Sequence, residues 1–229
     1  MAFVLDEVVP WGRNFEEYVA MFALAPADLE RRILGCADGP ASFNAEMHGR
    51  GHRVVSLDPL YDASPDELAA RIDTTFDKVM TQAHRNRDTF VWQNIRSIEH
   101  LGEIRRAAMQ TFLADFPEGL HAGRYVPAAL PELPFPDRSF DLILCSHYLF
   151  LYSEQLSADE HLTDLEEMCR VAGEVRIYPL QALSGVPSPH VEPVVAALGA
   201  RGHRAEIMPV DYQFRRDSRT MLRILSGAR

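Results

Sequence analysis

Ile33-Leu34-Gly35-Cys36-Ala37-Asp38-Gly39, followed by Val54-Val55-Ser56-Leu57-Asp58-Pro59, decides how this chain is read. An apolar run ends in a glycine turn, a short helical segment follows, and a second apolar run ends in a carboxylate. Glycines where a strand gives way to a helix let a ligand approach the backbone, because no Cβ stands in the way. A carboxylate about 20 residues further on can accept hydrogen bonds from the two hydroxyls of a ribose. Together they predict a nucleoside-containing cofactor at the carboxyl end of a parallel sheet.

Working outward, Asn14-Phe15-Glu16-Glu17 has the pattern of a capping box. It predicts a helix to about Leu24, broken at Pro26. The strand at Ile33 leads into a short helix from Pro40 to Met47, closed by Gly49 and Gly51, and His52 to Leu57 is the second strand. Ser64-Pro65-Asp66-Glu67 is a second cap, with a first-turn proline. Leu68, Ile72, Phe76, Val79 and Ala83 then recur at helical spacing. Another helix begins near Ile98 and is expected to stop at Pro117-Glu118-Gly119.

No strand is predicted between Asp62 and Leu120, although a strand-helix-strand unit needs only about half that length. Residues 62–120 are therefore read as a helical insertion. It is a lid over the site, padding on the sheet edge, or a contact in a homodimer.

Arg124 to Val126 is a short third strand, and Phe140 to Cys145 is a continuous apolar one, as a parallel strand covered on both faces requires. A helix from Asp159 to Val171 ends at Gly173, a strand covers Glu174 to Tyr178, and a helix covers Val191 to Leu198. Arg204 to Phe214 and Thr220 to Leu225 are two strands joined by Arg215-Arg216-Asp217-Ser218, a link too short for anything but antiparallel pairing. The expected fold is α/β: a Rossmann-like, doubly wound, seven-stranded sheet with a C-terminal antiparallel hairpin and a helical insertion after the second strand. Residues 1–229 are read as one domain.

The chain carries a net charge of -10, which disfavours a phosphate backbone as partner. Arg85 and Arg87 read as a solvated helix face. Cys36, Cys145 and Cys169 are odd in number and widely spaced. They form no C-x-x-C, which argues against disulfides and zinc and for a reducing compartment, the cytoplasm. Met1 to Glu7 lacks the basic region of a secretory signal. The longest apolar run, Leu142 to Tyr152, falls short of the roughly 20 residues of a membrane span. The histidines show no metal-ligand spacing, so no metal is assigned.

Three segments resemble the class I S-adenosylmethionine-dependent methyltransferases. Gly35-Cys36-Ala37-Asp38-Gly39 is similar to that family's glycine-rich first motif. Asp58 stands where its ribose-binding carboxylate ends the second strand. Leu133-Pro134-Phe135-Pro136-Asp137-Arg138-Ser139-Phe140-Asp141 matches the L-P-F-x-D-x-S-F-D run leading into its fourth strand. The chain departs from the pattern at Ile33, where the family carries an acidic residue. It also departs at Ala37, in place of the second glycine, and at Ala128-Ala129-Leu130, where an aspartate near the adenine is common.

The resemblance implies S-adenosylmethionine as cofactor and methyl transfer to a small-molecule acceptor. Gly35 and Gly39 would admit the cofactor to the turn, and Cys36, Ala37 and Asp38 would line it. Asp58 would bind the ribose, Pro59 and Leu130 would flank the adenine, and Ser146 would line the cofactor after the fourth strand. His147 is the candidate catalytic base, since an unperturbed imidazole titrates near neutral pH; a histidine that bonds the backbone is the competing reading. Trp11 and Tyr18 either close the site or belong to the core. Two other functional readings stay open. One is a methyltransferase-like binding or interaction module without catalysis, motivated by Ile33, Ala37 and Ala129. The other is a nicotinamide-dependent oxidoreductase, for which a full G-x-G-x-x-G is lacking.

Overall fold

The computed structural model describes residues 9–227. The start, Met1 to Glu7, read above as lacking a secretory signal, lies outside the described residues. Helix α1 (Phe15–Met21) opens on the expected capping box, in which Asn14 accepts from the Glu17 backbone and Glu17 reaches back to Asn14. Pro26 does more than end a helix: it starts α2 (Pro26–Leu29), taking the first helical position, where a missing N–H costs nothing. Strand β1 (Ile33–Cys36), α3 (Phe43–Gly49) and β2 (Val54–Leu57) follow. Then come α4 (Pro65–Arg85), α5 (Ile98–His121) and β3 (Tyr125–Val126). Strand β4 (Phe140–Ser146), α6 (Ala158–Val171) and β5 (Ala172–Tyr178) complete the parallel part. Helix α7 (Val191–Ala200) leads to β6 (Arg204–Pro209) and β7 (Thr220–Leu225).

The seven strands form one sheet in the order β3-β2-β1-β4-β5-β7-β6. β7 runs antiparallel to both β5 and β6. The expected seven-stranded, doubly wound architecture with its terminal hairpin is therefore present. Alternation along β4 shows why both faces are covered. Ile143 and Cys145 join a core with α6 and α7, whereas Leu142 and Leu144 join one with α1 and α3. Each such fully buried leucine or isoleucine stabilises by roughly 1.5–3 kcal/mol. In register, Cys36 lies level with Leu57 on one side and Cys145 on the other. This brings the carboxyl ends of β1, β2 and β4 to one level, at the point where the connections leave in opposite directions.

Several boundaries differ from the sequence reading: α1 ends at Met21, before the expected Leu24, and α3 starts at Phe43, after the expected Pro40. Helix α5 runs through Pro117 to His121. Gly119 does not end it but lets Tyr125 pack close, since a Cβ there would stand 2.3 Å from the Tyr125 ring. Gly173 does not end α6 either; the chain passes straight from Val171 into β5, and Gly173 lies within the strand.

The hairpin differs most. β6 stops at Pro209, and residues 210–219 leave the sheet. There, Tyr212 packs edge-on against Tyr178, and Phe214 stacks on Phe90 at 4.5 Å. The Val91 amide donates to the Phe214 carbonyl at 2.8 Å, so the turn between α4 and α5 is tied to this loop. Among the described residues, no helix is long and apolar enough to cross a membrane.

Candidate functional site

A small pocket opens above β1, β2 and β4, lined by Ala37, Asp38, Gly39, Asp58, Ser146 and His147 among others. Its floor is set by a turn that holds Ala37 and Gly39 in the left-handed region, at φ 55° and 53°. Glycine adopts that conformation freely, whereas alanine does so at a cost of about 1 kcal/mol. The family resemblance expects a glycine at position 37, and the backbone there has the glycine conformation.

Asp38 is 7% exposed and accepts two short hydrogen bonds, from the Tyr18 hydroxyl at 2.5 Å and the Ser56 hydroxyl at 2.6 Å. Burial pushes its carboxyl up to about 6, against the pull of those two donors, and the Asp58 charge adds to the rise. Asp58 receives the Gly39 amide at 2.9 Å on one oxygen and the Leu60 amide at 2.8 Å on the other. Burial raises its carboxyl too, opposed by these amides. Each Asp58 oxygen keeps a second lone pair, so the carboxylate can still accept from a pair of vicinal hydroxyls.

A second, larger cavity adjoins the first and encloses about 870 Å³, its open mouth included. Val9, Trp11, Arg13 and His147 line both. The larger cavity is mainly aromatic and aliphatic, with Phe90 and Leu101 contributed from the helical insertion and Tyr212 and Phe214 from the loop after β6.

His147 sits at the junction with a left-handed backbone, φ 55°. Its amide donates to the Tyr178 carbonyl at 2.7 Å, and its Nδ1 lies 2.8 Å from the Ser146 hydroxyl. Burial, and then the charges of Arg13, Arg105 and Arg215, hold its imidazolium well below the usual range. The ring is neutral at pH 7, able to accept a proton but a weaker base than a free imidazole.

Six of the sequence-predicted residues therefore meet in the smaller pocket, and four do not line it. Gly35 faces the Asp38 carboxylate, which fills the place of its absent side chain. Cys36 is fully buried in the core beneath, and burial drives its thiol well up, which removes it as a nucleophile. Pro59 is exposed and starts the single turn Pro59–Asp62. Leu130 packs against the core cluster that contains Leu133.

Tyr18 and Trp11 both line the pocket, and Tyr18 is also core. Arg13 went unnoticed in the sequence because its only signal is a position one residue before a helix cap. Among the described residues, no group of three or more His, Cys, Asp or Glu side chains is placed to hold a metal.

No family model matches the chain. An uncharacterized protein of Methanocaldococcus jannaschii is 29% identical over 220 residues, covering 95% of this chain and 96% of its own length. Among solved structures, a TehB-like S-adenosylmethionine-dependent methyltransferase from Corynebacterium glutamicum is 13% identical, with 93% of this chain and 88% of that one covered and a TM-score of 0.46. The magnesium protoporphyrin IX methyltransferase of Synechocystis with bound S-adenosylhomocysteine is also 13% identical, covering 91% and 80%, with a TM-score of 0.47.

Proposed function

We propose that the protein transfers a methyl group from S-adenosylmethionine to a small-molecule acceptor. The observation that carries this reading is the shared wall: a polar pocket at the switch point of the sheet meets a larger apolar cavity, with His147 and Arg13 at the junction. A two-substrate transfer needs that arrangement, since holding both partners in line supplies most of the attainable rate. When bound, the cofactor supplies an electrophilic methyl on a sulfonium.

The chain's own residues fit such a molecule. Asp58 would take the ribose diol. Asp38 and Asp58 together present negative charge to the amine and sulfonium. Pro59 and Leu130, outside the pocket as it stands, would flank the adenine only if the base extends past Asp58. The helices of residues 62–120 act as a lid in this reading, because Phe90 of their connecting turn lines the larger cavity and Val91 is bonded to the loop after β6. Cys36, Cys145 and Cys169 are buried thiols, which suits a reducing compartment such as the cytoplasm.

Calorimetric titration with S-adenosylmethionine, S-adenosylhomocysteine and reduced nicotinamide dinucleotide tests this reading. Micromolar binding of the first two and none of the third is expected. Failure of both adenosyl ligands to bind folded protein would move the non-catalytic module to the front, and preference for the nicotinamide would replace the reaction class.

A further inference from the structure

The larger cavity carries a charge pattern at odds with the rest of the chain. The protein has a net charge of -10, yet the charged side chains lining this cavity among the described residues are Arg13 and Arg215. Glu17, the carboxylate whose charge acts on Arg13, is already saturated. Glu17 accepts from Arg105 through both oxygens, from the Tyr212 hydroxyl at 2.7 Å and from the Asn14 amide at 3.2 Å.

Arg13 itself donates to the Trp11 carbonyl at 2.9 Å, and its Nε is buried without a hydrogen-bond partner. Burial, and then the neighbouring charge of Arg105, lower this guanidinium to about 10, so it stays charged at neutral pH. Arg13 as a whole is half-buried, but a buried donor left unused on a cation is costly unless something completes it. The planar fork of a guanidinium matches a carboxylate. Gln181 lines the same cavity, and its buried Oε1 also lacks a hydrogen-bond partner.

We infer that the larger cavity takes as acceptor a small, largely apolar molecule bearing a carboxylate, held by Arg13 at the junction of the two pockets. Aromatic walls from Trp11, Tyr212 and Phe214 would cover its body. The inference rests on the smaller pocket being the cofactor site, and it names the class of acceptor which that reading leaves open.

The test uses 1-naphthoate and its neutral counterpart 1-naphthamide. Each is titrated into the full chain, both free and saturated with S-adenosylhomocysteine, for wild type, Arg13→Gln and Arg13→Lys. Wild type should bind naphthoate at least about ten-fold more tightly than the amide, the size expected of a charge-assisted pair. Arg13→Gln should erase that preference, and Arg13→Lys should keep part of it.

Equal binding of acid and amide by wild type, or no naphthoate binding at millimolar concentration, overturns the inference. So does a ten-fold loss of S-adenosylhomocysteine affinity in Arg13→Gln with the acid preference intact, because Arg13 would then serve the cofactor's own carboxylate. The wild-type comparison stands if the glutamine variant does not fold. A wild-type protein that prefers naphthoate but does not bind S-adenosylhomocysteine would sink the methyl-transfer reading and leave the anion pocket standing.

Discussion

The Asp38 carboxylate occupies the space where Gly35 would carry a side chain: a Cβ at residue 35 would stand 1.9 Å from its Oδ2. The glycine motif thus serves the protein's own carboxylate before any ligand. Gly35→Ala should push Asp38 off Tyr18 and Ser56. The expected loss is about 1–3 kcal/mol, the usual cost of forcing atoms into a packed interior. Urea denaturation measures it. An unchanged midpoint would show that Asp38 relocates freely and that its position is not enforced.

Asp58 offers its remaining lone pairs to the pocket while two amides hold it in place. Hydrogen bonds to a charged group contribute about 1.5–3 kcal/mol. Asp58→Ala should therefore weaken S-adenosylhomocysteine about 10- to 100-fold in calorimetry, with the circular dichroism spectrum retained. Asp58→Asn should fall between the two, because the amide still accepts one hydroxyl.

Burial lifts the Asp38 carboxyl to about 6, whereas in the unfolded chain it titrates at the ordinary aspartate value of 3.8. Between those values the folded chain holds the proton more tightly. Its contribution to stability is therefore full below the unfolded value and lost as pH rises through about 6. The stability of wild type minus that of Asp38→Asn should decline across this window in parallel urea titrations. Cofactor affinity should move the other way: a cationic ligand favours the ionised carboxylate, so S-adenosylmethionine should bind more tightly at about pH 7 than at about pH 5. A flat affinity profile would remove Asp38 from the cofactor's surroundings.

Glu17 and Arg105 form a buried pair between the N-terminal helix and the helical insertion, with side chains 8% and 1% exposed. Burial works to raise the Glu17 carboxyl, but the Arg105 guanidinium holds it below the usual range. Removing one partner strands the other charge. Glu17→Met or Arg105→Met alone should destabilise by about 3–5 kcal/mol, and the double variant by clearly less than either single one. A double-mutant cycle in urea checks this, and additive losses would show that the two charges do not depend on each other.

Much of the fold was legible in the chain because local signals and core pattern agree. The Asn14 and Ser64 caps with their glutamates three residues on both form. The apolar run at Phe140 becomes the central strand β4. What the sequence hid was decided by contacts between distant segments. Gly119 resembles a helix stop but answers to the Tyr125 ring. Val210 to Phe214 read as a continuation of the strand, yet Tyr212 and Phe214 lie outside the sheet and pack on Tyr178 and Phe90. The site divides in the same way. Asp38, Gly39 and Asp58 follow from motif spacing, whereas Arg13 reaches the junction because its segment lies against the turn after β1, with the Ser42 amide donating to its carbonyl at 3.0 Å.

A crystal structure of the full chain grown with S-adenosylhomocysteine tests the central claim most directly. The account predicts the ribose hydroxyls on Asp58, the amino acid end near Asp38, and the sulfur turned toward His147 and the mouth of the larger cavity. A ligand bound elsewhere, or one whose sulfur faces away from that cavity, would contradict it.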